Sequence, residues 1–187
     1  LEIKVEDKWI LIDDQPVQYP GWSVHFRVDD WDASKNVPYR LSLGDLSEFE
    51  GLVRADPIDK DTIVVASLNC NSPVDKEFDT RKQTVDNLKY HDPDLLFFAG
   101  DQNYTHDEAT YGWLQFGVQF AEVMKDRPTI CILDDHDVGH PNIWGEGGKA
   151  SSGVKGASDG GYMFPASFVL MVERQQTWNL PDPYDAT

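Results

Sequence analysis

The spacing of apolar and polar positions changes near Asp56-Pro57, and that change divides the chain. From Ile3 to Asp56 the texture is β-like: Trp22, Val24, Phe26 and Val28 alternate with polar residues, as do Tyr39, Leu41 and Leu43. Pro16, Pro20, Gly21, Pro38 and Gly44 mark the turns. Residues 1–57 are therefore expected to form a β-rich segment, a half-buried antiparallel sheet too short for a complete β-sandwich.

Beyond Pro57 the runs become continuous. Thr62 to Leu68 is apolar and rich in β-branched residues, the signature of a strand buried on both faces of a parallel sheet. A helix is expected from Thr80 to Tyr90, then a second buried strand over Asp94–Ala99. The next helix runs from Ala109 to Met124, with Trp113, Phe116, Phe120 and Val123 on one face, and a third strand covers Thr129–Leu133. The order β-α-β-α-β predicts an α/β unit over residues 58–187, with right-handed crossovers and a parallel sheet. Gly139 to Gly161 reads as a long loop over the site, and a short helix is expected from Ser167 to Arg174. Three parallel strands make a small core, so the chain is expected to stop before the fold does.

Composition narrows the choice of partners. The 187 residues are 40% hydrophobic, enough for a packed core, and 16 basic against 33 acidic side chains leave a net charge of -17. That field disfavours nucleic acid and other polyanionic surfaces, whereas a small anionic ester could bind if a cation cancelled it locally. Cys70 and Cys131 do not make a disulfide scaffold. No apolar run approaches the roughly 20 residues of a membrane helix. Leu1 opens the chain in place of Met, so it reads as trimmed, and the missing signal segment leaves export open.

In open parallel sheets ligands sit beyond the carboxyl ends of the strands. Asn69, Cys70 and Asn71 follow the first strand; Gly100, Asp101, Gln102, Asn103 and Tyr104 the second; Asp134, Asp135, His136 and Asp137 the third. Taken singly these have plain readings: Asp101 caps a turn, Cys70 is a small buried apolar residue, Tyr104 a loop aromatic. The acidic run is harder to treat so, because carboxylates crowded after a buried strand repel one another unless a cation is near. Three adjacent exits, each with a metal-binding group, point to a metal site.

This ordered set resembles the motifs of the PhoD-like, alkaline phosphatase D type, branch of the metallophosphoesterases, and the β-rich stretch is similar to the end of the Ig-like domain that precedes their catalytic domain. The resemblance implies a metal-dependent phosphoric ester hydrolase, a phosphomonoesterase or phosphodiesterase acting on a small phosphate ester. It implies that Asp101 bridges two metals, that Cys70 and Tyr104 complete one position, and that Asp135 serves the second. His136 would face the substrate phosphate, and Asp137 would orient His136. Thiolate, phenolate and carboxylate favour Fe3+, and an all-oxygen set favours Ca2+ or Mg2+. The resemblance implies iron with calcium, while the residues alone leave Mn2+ and Zn2+ open. The metals would activate a water for in-line attack, without a phosphoenzyme. An exported location is a further implication.

Asn71, His140, Asn142 and Trp144 are candidate substrate contacts. Gly147-Gly148-Lys149 lacks the upstream glycine and following hydroxyl of a phosphate loop. The Asp-x-His usual after the first strand in the wider superfamily is replaced by Asn69-Cys70-Asn71, and the family's downstream His- and Asp-bearing loops have no counterpart before Thr187. The rival is a non-catalytic module with a degenerate fold that binds calcium or a protein partner.

Overall fold

The computed structural model describes residues 1–19, 22–72, 80–102, 104 and 109–138. The loop expected over Gly139–Gly161 and the helix expected over Ser167–Arg174 lie outside them. The chain opens with a hairpin, β1 (Glu2–Val5) and β2 (Lys8–Leu11), paired Val5 to Lys8. Its two-residue turn places Glu6 and Asp7 at φ 47° and 64°, the conformation whose twist matches the flanking strands. β3 (Val37–Leu43) and β4 (Ser47–Val53) pair along their full length, and β1 also pairs with β3, giving one antiparallel sheet in the order β2-β1-β3-β4. The described residues form no second sheet against it, as an Ig-like sandwich would require.

The alternation of Trp22, Val24, Phe26 and Val28 does not become a strand. Gln18 and Ser23 form an isolated bridge, and Trp22, at φ 51°, donates its N–H to the Gln18 carbonyl at 2.9 Å. A strand needs a ladder partner as well as a period. Here β1 and β4 already flank β3, and this stretch pairs with neither edge.

The second sheet is parallel, β5-β6-β7, from β5 (Val65–Leu68), β6 (Leu95–Phe98) and β7 (Thr129–Cys131). Helices α1 (Thr80–His91) and α2 (Ala109–Met124) fill the crossovers and contact each other, so they share one face of the sheet. α1 stops where Asp92 turns to φ 42° and Pro93 cannot continue it. Val85 and Leu88 of α1 and Phe116, Phe120 and Val123 of α2 meet Leu96, Phe98 and Cys131 in one core. Phe98 stands edge-on to Phe116 and Phe120, ring centroids 4.9 and 5.1 Å apart, the arrangement aromatic quadrupoles prefer.

The first parallel strand departs from expectation. It begins at Val65, and Ile63 and Val65 remain 49% and 51% exposed. Ala66 and Leu68 point to the helices and pack on the core, but among the described residues β5 is the sheet edge, with helices over one face alone.

The two sheets meet at the end of α2. The Lys125 carbonyl accepts the Leu52 N–H at 2.9 Å and the Tyr39 hydroxyl at 3.0 Å. Arg54 bonds Asp92 at 3.0 Å and lies 3.5 Å from Asp126, while the buried Arg127 reaches Asp92 at 2.7 Å. Gly51 is needed at this approach: a Cβ there would lie 2.3 Å from the Lys125 oxygen.

Candidate metal centre

The three parallel strands end at one rim, and backbone bonds continue the register past their ends. Ala99 N–H donates to Leu68 O at 2.7 Å, and Ile132 N–H to Phe98 O at 3.0 Å. The chain then turns sharply. Cys70 and Asp101 take φ 53° and 59°, and Gly100 takes 99°. A left-handed backbone at a non-glycine residue costs on the order of 1–3 kcal/mol and persists where its surroundings impose it. Here Cys70 N–H bonds Gly100 O at 3.2 Å, Asn71 N–H bonds Asp101 O at 2.8 Å, and Asp101 N–H bonds Asp137 Oδ2 at 2.7 Å.

These turns gather the candidate ligands on the Asp101 carboxylate, which is 5% exposed. Tyr104 Oη donates to Asp101 Oδ2 at 2.7 Å, and Cys70 Sγ lies 3.5 Å from the same oxygen. The other oxygen, Oδ1, accepts the His136 backbone N–H at 3.2 Å. Asp135 and His136 sit in the single-turn helix α3 (Asp135–Val138), and Asp101, Asp135 and His136 each offer a ligand atom within 4.8 Å of the others. The Tyr104 and His136 rings stack, centroids 4.1 Å apart. Cys70, Asp101, Tyr104, Asp135 and His136 thus share one place. His140, Asn142 and Trp144 lie outside the described residues.

Asp137 is 1% exposed, and its Oδ2 accepts both the Asp101 N–H and, at 3.1 Å, the Asp134 N–H. These bonds tie the β6 exit to the β7 exit. Where the resemblance implies that Asp137 orients the His136 ring, the geometry gives this carboxylate a hold on two backbone turns. Asn71 is turned inward, its amide donating to Gln102 O at 3.4 Å and Gln119 Oε1 at 3.1 Å.

The electrostatics fit a cation. Asp101, 5% exposed, makes no ion pair with Lys or Arg among the described residues, although burying a carboxylate without positive charge is unfavourable. Burial raises the Tyr104 hydroxyl far above its usual range, and its hydrogen bonds and charge interactions with Asp101 and Cys70 add to that. A cation beside these groups would reverse the shift.

Three further contributors, two of them within the strand-exit motifs, had no role assigned from the sequence. Gly100 is required because a Cβ there would stand 2.5 Å from Asp134 Cβ. Gln102 bridges exits, its Nε2 donating to Phe98 O at 3.1 Å and Ile132 O at 3.2 Å. Arg81, in the first turn of α1, approaches the β5 exit and donates to Ser72 O at 2.5 Å. The Gly-Asp pair held a signal for the first; the other two depend on packing that no local pattern announces.

No family model matches this chain, and no curated protein matches it. Among solved structures it is similar to purple acid phosphatase PPD1 from yellow lupin (Lupinus luteus) seeds, with a TM-score of 0.51 and 17% identity. The chain shares the fold of a phosphatase. The match covers 85% of this chain and 33% of the phosphatase chain, so this chain spans a minor part of that protein. Among the described residues no helix is long and apolar enough to cross a membrane.

Proposed function

We propose that this chain contributes to the active site of a metal-dependent phosphoric ester hydrolase of the PhoD-like kind. The observation that carries the reading is the convergence of Cys70, Tyr104, Asp135 and His136, from three strand exits, around the buried Asp101 carboxylate. The phosphatase fold supports it.

Asp101 would be shared between two cations, with Cys70 and Tyr104 on one side and Asp135 on the other. The thiol and phenol favour iron at the first position. Calcium suits the second if oxygen atoms alone hold it, whereas participation by the His136 imidazole would favour zinc or manganese. Bound there, the cations would supply the positive charge that acidifies a water and polarises a phosphoryl oxygen.

The protein's own groups set the geometry. Asp137 fixes the turns carrying Asp101 and Asp134, which keeps the donors in place without reorganisation. His136, whose ring lies against that of Tyr104, would donate a hydrogen bond to the phosphoryl or leaving oxygen. The substrate is a small phosphate ester, since the net charge of -17 opposes long polyanions.

The test is elemental analysis of full-length protein together with hydrolysis of generic mono- and diesters, beside an Asp101→Asn variant. Two metals per chain and turnover, both lost in the variant, are expected. Unchanged metal content and rate in Asp101→Asn reject the bridge, and bound metal without turnover favours a binding module.

A further inference from the structure

Cys70 and Asn71 are neighbours in the chain with different tasks. Cys70 stands at φ 53°, with its Sγ 3.5 Å from Asp101 Oδ2. A left-handed backbone at a residue with a Cβ persists where its surroundings impose it. Bonds on both sides of Cys70 do so: its N–H donates to Gly100 O at 3.2 Å, its carbonyl accepts the Ser72 N–H at 2.7 Å, and the Asn71 N–H donates to Asp101 O at 2.8 Å.

The Asn71 side chain carries this bracing into the helix layer. Its Nδ2 has two hydrogens and faces two acceptors, Gln102 O at 3.4 Å and Gln119 Oε1 at 3.1 Å. Because Gln102 O is a backbone carbonyl, the Asn71 amide has one orientation, and Gln119 must present its oxygen to it. The bond to Gln102 is long, so the shorter bond to Gln119 carries more of the hold. Gln119 lies in α2 between Phe116 and Phe120, whose buried rings fix that stretch of helix on the sheet. The far end of the brace is therefore an anchored helix.

We infer that Gln119 is a positioning residue for the metal centre: through the Asn71 amide it holds Cys70 in the left-handed turn that sets its sulfur beside the Asp101 carboxylate. Asn71 is then a strut between α2 and the β5 exit. The inference rests on Cys70 serving as a cation ligand.

The experiment uses full-length protein stripped of metal by a chelator, as wild type, Gln119→Leu, Gln119→Glu and Val123→Ala. Cobalt(II) is titrated in, and binding is read from the thiolate-to-cobalt charge-transfer band that Cys70→Ser lacks. Separately, the rate at which iodoacetamide alkylates Cys70 in the metal-free protein is followed on its peptide by mass spectrometry. Gln119→Leu should weaken cobalt binding and speed alkylation by about three- to tenfold each, the worth of one hydrogen bond. Gln119→Glu keeps an acceptor and should restore both. Val123→Ala opens a cavity at a fully buried position on the same helix, so it should lower stability to urea and move neither readout. In an Asn71→Ala background, Gln119→Leu should add nothing. Wild-type values in Gln119→Leu, no rescue by Gln119→Glu, an equal shift in Val123→Ala, or additive effects with Asn71→Ala each overturn the inference. If Gln119→Leu does not fold, Gln119→Met takes its place under the same criteria. Should wild type show no thiolate band, the metal reading of Cys70 fails by itself, and the alkylation rates alone decide the brace.

Discussion

Replacing Gly100 by Ala tests whether the β6 and β7 exits must touch for the site to form. Two costs are expected. At φ 99° an L-residue is strained, by about 1–2 kcal/mol on the scale of left-handed backbone. The new methyl would also stand 2.5 Å from Asp134 Cβ and 3.1 Å from Asp134 N, so one strand exit must shift, at about 1–3 kcal/mol for a crowded interior. Gly44→Ala is the control, because Gly44 has φ 51° and a methyl added there would meet nothing within 4 Å. Both substitutions reduce the entropy of the unfolded chain by a similar amount, about 0.4–1 kcal/mol, so this contribution cancels in the comparison. Urea unfolding with linear extrapolation should place Gly100→Ala roughly 1–3 kcal/mol below Gly44→Ala. Metal content should fall in Gly100→Ala alone, since Asp101 and Asp135 ride on the two displaced turns. Equal stability of the two variants, with full metal content in both, would show that the close contact at Gly100 is dispensable.

Asp137→Ala strands two backbone N–H groups and should cost about 2–5 kcal/mol in urea, whereas Asp137→Asn retains an acceptor and should cost about 1–2 kcal/mol. A loss below about 1 kcal/mol for the alanine variant counts against the clamp. The Cys131 thiol is pushed up to about 12, first by burial and then by the charge of Asp137. Its folded pKa is thus above its unfolded one, so this stability is complete below about pH 9 and is lost as pH rises toward 12. Relative to Cys131→Val, wild type should weaken by about 2 kcal/mol between pH 8 and 10.5; parallel curves would contradict the assignment. Gly51→Ala drives a methyl against Lys125 O and the Tyr39 ring and should cost about 1–3 kcal/mol, with faster amide exchange at Leu52; unaltered exchange would mean that β4 does not depend on this contact.

The parallel unit was legible because its signals are local and redundant. α2 occupies Ala109–Met124 as its apolar period indicates, and the buried runs at Leu95–Phe98 and Thr129–Cys131 are strands. The stretch Trp22–Val28 misled because a period of two states which face a residue offers, and pairing decides whether there is a strand at all. The exposure of Ile63 and Val65 was hidden for a related reason: a β-branched run looks the same whether helices cover one face of the sheet or both. At the site, residue types at the exits indicated the donors. Which oxygen faces which donor, and the hold of Asp137 on two turns, follow from left-handed backbone at Cys70 and Asp101 that no spacing rule predicts.

A single oxygen of Asp137 receives an amide from each of two loops, and this makes those loops one mechanical unit. Ordering one by a captured ion should preorganise its neighbour, so a second ion would meet a site already assembled. Titration of metal-free protein should accordingly rise more steeply than independent binding allows, and severing the shared oxygen in Asp137→Ala should flatten the curve.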